Sequence, residues 1–268
     1  MRTIQPIKLY LPNILTLINL LLGTLAAMEA WYGRYTLAAT YILVCAVLDF
    51  LDGYTAKILK AYSDIGKQFD VLADLVSFSI APGAIAAGLL KIGATNCQWP
   101  FFLLPLTYII PLLIPLVSAI RLANFNIGQH QETHFKGMPV PANAFSYVAL
   151  ALIHANPMFE RVDAILLHPM FIIALIAVNS FLMMAPLPMF SLKLKKYDLA
   201  ANVWRYLFTA MGFALVIWLQ GLGLFAVFVL YILTSIGMNI RLRYRNKKKI
   251  RQPRSSERIH NGIYPPRG

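Results

Sequence analysis

Asp49-Phe50-Leu51-Asp52-Gly53-Tyr54-Thr55-Ala56-Lys57, followed by Gly66, Asp70 and Asp74, is the stretch on which the reading of this chain turns. It bridges the end of an apolar run that begins near Tyr35 and the start of one that begins near Phe69. Only 11 acidic residues occur in the 268, yet four of them stand at the facing ends of these two runs. Charge at such a place is costly in a bilayer and marks function. On a helix, residues three or four apart share a face, so Asp49 pairs with Asp52 and Asp70 with Asp74. The short connection makes the two helices antiparallel neighbours, and all four carboxylates are expected to converge.

Four anions held together at low effective dielectric repel one another, and hard divalent cations with oxygen ligands relieve that repulsion. Asp49, Asp52, Asp70 and Asp74 are therefore the candidate metal ligands. Gly53 and Ala56 lie beside Asp52, and Gly66 lies one turn before Asp70, so the backbone there is open to a bulky ligand such as a nucleotide. The plainer reading, helix-end aspartates satisfied by Lys57 and Lys67, suits any one of them but not all four.

The chain is 59% hydrophobic and 13% charged, with a mean hydropathy of +0.63. Soluble domains carry about 25% charged residues, so this is an all-α membrane protein rather than a soluble one. A bilayer core of about 30 Å needs about 20 helical residues. Runs of that order begin near Leu11, Tyr35, Phe69, Phe101, Pro139, Ile165, Val203 and Leu222, which predicts eight transmembrane helices. Arg2 and Lys8 precede the first run, but no small-residue cleavage site closes it, and it reads as a retained span.

With eight spans, 21 of the 24 basic residues fall on one side, and only Arg34, Lys91 and Arg161 fall on the other. The positive-inside rule then puts both termini and the aspartates at the cytoplasmic face of the cell's inner membrane. The net charge of +13 follows the same partition, which suits anionic lipid headgroups and not nucleic acid. Residues 1–242 read as one transmembrane catalytic domain, opened by a short interfacial segment over 1–10. The basic tail over 243–268 is expected to be disordered. Cys45 and Cys97 have no metal or redox spacing, and His130 and His134 lack a nearby carboxylate on an evident helix.

Asp49, Asp52-Gly53, Ala56-Lys57, Gly66, Asp70 and Asp74 together resemble the signature of the CDP-alcohol phosphotransferase family, D-x2-D-G-x2-A-R-x8-G-x3-D-x3-D. Lys57 stands where the family has Arg, keeping the charge but losing the planar fork. Pro12-Asn13-Ile14-Leu15-Thr16-Leu17-Ile18-Asn19 is similar to the opening of the family's first helix. Three later segments look like its phosphatidylserine synthase branch: Asp74 to Pro82, Arg121 to Asn126, and Phe135 to Pro141. Ser79 and Asn124 depart from that branch's pattern.

The resemblance implies a six-helix core, here followed by two further helices, and a homodimer. It implies transfer of a phosphatidyl group from CDP-diacylglycerol to L-serine with two divalent ions, magnesium or manganese. Asn19, Asp49, Gly53, Ala56, Lys57 and Gly66 would contact the CDP-diacylglycerol, and Asp74 would act as general base. The serine carboxylate needs a cation, for which Arg121 is the best placed, with Lys136 a further contributor. The competing view of Arg121 is an anchor at headgroup level. Glycerol-3-phosphate or inositol phosphate as acceptor, a divalent-cation transporter, and a structural membrane protein are the other readings.

Overall fold

The structure, a computed structural model, describes residues 5–59, 63–128, 137–185, 212 and 215–237. Helices dominate these residues, and no strand occurs among them. Helix α1 spans Gln5–Trp31 and α2 spans Tyr35–Leu59. Between them Gly33, at φ +78°, takes the left-handed turn that favours glycine. The amides of Gly33 and Arg34 donate back to the carbonyls of Ala30 and Glu29, which satisfies the end of α1 and reverses the chain. Ala26, Ala30, Ala38 and Ala39 are buried there, and their small side chains let the two helices approach closely.

Helix α3, Asp64–Leu75, starts at Ser63, whose hydroxyl caps the amide of Gly66 at 3.0 Å. A π turn over Val76–Ile80 carries it into α4, Ala81–Asn96, and the three form one span. Two short helices, α5 (Leu106–Ile109) and α6 (Leu113–Gly128), are linked by single turns into another. Helices α7 (Val140–His154), α8 (Glu160–Leu166), α9 (Pro169–Met184) and α10 (Leu215–Gly237) follow. The core runs through their contact zone, with Phe78, Ile85, Leu89, Tyr147 and Ile172 fully buried. Large apolar side chains such as Phe50, Phe101, Phe181 and Trp218 point outward, as lipid-facing residues do.

This is an all-helical, multi-pass membrane protein, but the described residues carry fewer spans than the eight expected. Five helices are long and apolar enough to cross, and α8 with α9 would make a sixth despite a 72° bend between them. That bend has a local cause. Pro169 disfavours a helical His168, whose ring instead accepts from the Met170 amide at 3.3 Å. Helix α7 has 15 residues, about 22 Å at 1.5 Å per residue, short of the bilayer core. Most of the run expected from Val203, the tail over 243–268 and Lys136 lie outside the described residues, and the last part of that run belongs to α10. Of the stretch expected to be interfacial, residues 5–10 are helical and belong to α1.

Candidate active site

Helices α2 and α3 place their aspartates as the spacing requires, with one exception. One carboxylate oxygen from each of Asp49, Asp70 and Asp74 lies within 4.8 Å of the others. The Oδ1 atoms of Asp70 and Asp74 are buried and have no hydrogen-bond partner among the described residues. Buried polar atoms are nearly always paired, and for anions the cost of remaining unpaired is large. Hard oxygen donors this close together are a ligand set for a divalent cation, so the residues present fit such an ion.

Asp52 stands apart from this trio. Its Oδ2 accepts from the Thr16 hydroxyl of α1 at 2.9 Å, and it is only 5% exposed. It remains within electrostatic reach of Asp70 and Asp74. The four-way convergence is thus three carboxylates plus a fourth tied to α1.

The glycines divide by what surrounds them. A Cβ added at Gly53 would meet nothing within 4 Å, so the exposed face beside Asp52 is open. Gly66 is different: its Cβ would lie 2.6 Å from Asn13 Oδ1 and 2.8 Å from Ser63 Oγ. Its small size fits the crossing with α1 and its own cap. Ala56 is half-buried and Lys57 exposed on the following turn.

Asn19 of α1 is fully buried. Its Oδ1 accepts from the Ser77 hydroxyl at 2.8 Å, while its Nδ2 has no acceptor among the described residues. Ser77 faces inward from the π turn, against Gly23, where a Cβ would come within 2.2 Å of the Ser77 hydroxyl. Ser77, Gly23 and Thr16 are contributors that the spacing argument did not single out. Only the membership of Thr16 and Ser77 in the motif strings was visible, and Gly23 lies outside them.

A family model described as CDP-alcohol phosphatidyltransferase matches residues 9–189. The chain belongs to that family. The match runs from within α1 through α9 and includes Asn19, the four aspartates, Ser77 and Arg121. Among CDP-diacylglycerol--serine O-phosphatidyltransferases, the one from Bacillus subtilis is 33% identical over 148 residues, 55% of this chain and 78% of that protein. The Helicobacter pylori protein of that name (strain 26695) is 30% identical over 152 residues, 56% of this chain and 60% of its own. The Mycobacterium bovis protein is 32% identical over 147 residues, 52% of this chain and 48% of its own. As a CDP-alcohol phosphatidyltransferase the chain is a membrane-embedded transferase of phospholipid biosynthesis.

Arg121 of this transferase is tied to the backbone of two other segments. It is half-buried, donating from Nη1 to the Met183 carbonyl at 2.8 Å and from Nη2 to the Gly137 carbonyl at 3.0 Å. It thereby joins α6 to the end of α9 and the approach to α7, where Met138 also donates to the Leu182 carbonyl. Gly137, at φ +78°, could not carry a Cβ, which would fall 2.5 Å from Arg121 Nη1. Of the two departures from the branch pattern, Ser79 is fully buried, its hydroxyl without a partner among the described residues, and Asn124 is exposed. A cavity of about 590 Å³ lies at the other end of α2, lined by Arg34, Tyr35 and His154, away from the aspartates.

Proposed function

We propose that this transferase moves the phosphatidyl group of CDP-diacylglycerol onto the hydroxyl of L-serine, giving phosphatidylserine and CMP. The observation that carries the reading is the trio Asp49, Asp70 and Asp74, with two buried oxygens that lack partners. These three, with Asp52, would hold two divalent cations, magnesium or manganese. Bound there, such ions would supply positive charge against the pyrophosphate and the departing CMP.

The chain's own groups do the rest. The open side of Gly53 admits the nucleotide, with Asn19, Ala56 and Lys57 around it and Gly66 setting the crossing beneath. The acyl chains stay in lipid. Asp74 accepts the proton of the serine hydroxyl as its oxygen bonds to phosphorus and the bond from phosphorus to CMP breaks. Arg121 and Lys136 meet the serine carboxylate. The backbone carbonyls that hold Arg121 orient its guanidinium without cancelling its charge. The charge partition supports a site and both termini on the cytoplasmic side of the inner membrane, and the family resemblance favours a homodimer.

The test supplies the purified chain with CDP-diacylglycerol, magnesium or manganese, and labelled serine, glycerol-3-phosphate or inositol phosphate in turn. Phosphatidylserine is the expected product. Labelled lipid from either phosphorylated alcohol, and none from serine, would overturn the acceptor. Asp74→Asn is expected to bind CDP-diacylglycerol yet lose turnover, and near-normal rates would remove Asp74 from the role of base.

A further inference from the structure

Beneath the carboxylates lies a buried polar node of which the transfer reaction, as described, uses only Asn19. Asn19 is its centre. Its backbone carbonyl accepts from Ser77 at 3.1 Å and from the Cys45 thiol at 3.4 Å, and its side-chain oxygen accepts from Ser77 at 2.8 Å. Cys45 is one turn before Asp49, and Ser77 is three residues after Asp74. The node therefore touches both carboxylate-bearing helices.

A carboxamide is planar, so fixing its oxygen prong fixes its NH2 prong. With the oxygen held by Ser77, the Asn19 NH2 is left as a fully buried donor with no acceptor among the described residues. An unmade hydrogen bond at such a place is destabilising in the protein alone, and a ligand oxygen would complete it. Access for Ser77 is itself built in. The π turn directs it at α1, and Gly23 is the residue whose side chain would otherwise occupy its place. Such π turns recur at functional sites.

We propose that Ser77 is a positioning residue, orienting the Asn19 carboxamide so that its NH2 is presented to the nucleotide half of the CDP-linked substrate. The inference rests on the proposed nucleotide contact of Asn19 and goes beyond it by naming what aims that contact. Ser77 bonds both oxygens of Asn19, so its loss should weaken recognition of CDP-diacylglycerol and leave the acceptor alcohol unaffected.

The experiment is a double-mutant cycle on the purified full chain, with KM for CDP-diacylglycerol and for serine measured separately. Ser77→Ala and Asn19→Ala are each expected to raise KM for CDP-diacylglycerol about tenfold. KM for serine should stay put, and the double variant should be no worse than Asn19→Ala. Ser77→Cys, close in size with a weaker donor, should fall between wild type and Ser77→Ala, and keeps the test open should the alanine variant not fold. Additive effects in the double variant, or equal rises in both KM values, would overturn the positioning role while leaving the Asn19 contact intact. An Asn19→Ala variant with unchanged KM for CDP-diacylglycerol would remove the contact itself, and the inference with it.

Discussion

Replacing Gly53 by alanine separates the space a ligand needs from the space the fold needs. Gly53 lies within α2, and the added methyl would meet no atom within 4 Å. Glycine inside a helix costs about 0.5–1 kcal/mol relative to alanine, so the fold should gain that much. The gain corresponds to an unfolding midpoint about 2 °C higher for a chain of this size. If the open face is where the nucleotide approaches the backbone, the same methyl intrudes on the substrate, and steric overlap of this kind costs about 1–3 kcal/mol. At 1.36 kcal/mol per factor of ten, kcat/KM for CDP-diacylglycerol should fall about 5- to 150-fold. The assay pairs thermal unfolding of the detergent-purified variant with CMP release over a range of CDP-diacylglycerol concentrations. A Gly53→Ala protein as active as the wild type would refute the placement of the nucleotide beside Asp52. A protein that is both inactive and less stable would show that the glycine serves packing instead.

Three further substitutions follow from the same geometry. Thr16→Val keeps the shape but removes the donor to a buried carboxylate, so unfolding stability should drop by about 2 kcal/mol, and an unchanged midpoint would contradict the Thr16–Asp52 bond. Arg121→Ala removes two charge-assisted bonds to backbone carbonyls and should destabilise by about 2–4 kcal/mol while raising KM for serine. An unchanged KM would confine Arg121 to holding α6 against α9. Gly93→Ala drives a methyl to 2.0 Å from the Leu167 carbonyl oxygen, where no side-chain rotation gives relief. Overpacking against backbone should cost about 3 kcal/mol or more, read as a lowered yield of folded protein, and a normal midpoint would contradict the close passage of α4 across the bend between α8 and α9.

The aspartates were legible because helical spacing alone puts Asp49 on one face of α2 and Asp70 with Asp74 on one face of α3. Convergence then needs only a short antiparallel connection. The turn of Asp52 toward Thr16 was not legible, since it depends on how α1 is rotated against α2, which no local pattern states. Gly66 illustrates the same limit. A small residue is required both where a ligand approaches and where a neighbouring helix does, and only the position of Asn13 distinguishes the two. The π turn at Val76–Ile80 has no compositional marker, so the inward face of Ser77 could not be read from a 3.6-residue period. Hydropathy recovered the membrane class and the first four spans. It overstated α7, whose apolar residues are buried against other helices and read the same as residues facing lipid.

The central claim is that the carboxylates of α2 and α3 hold divalent cations on which transfer depends. Its most direct test follows CMP release from CDP-diacylglycerol while manganese is titrated into chelator-treated protein, alongside the manganese bound at each point. Wild type should be silent without the ion and active as its sites fill, and Asp49→Asn and Asp70→Asn should lose both binding and release. Undiminished CMP release in excess chelator, or full manganese binding by both variants, would contradict the account.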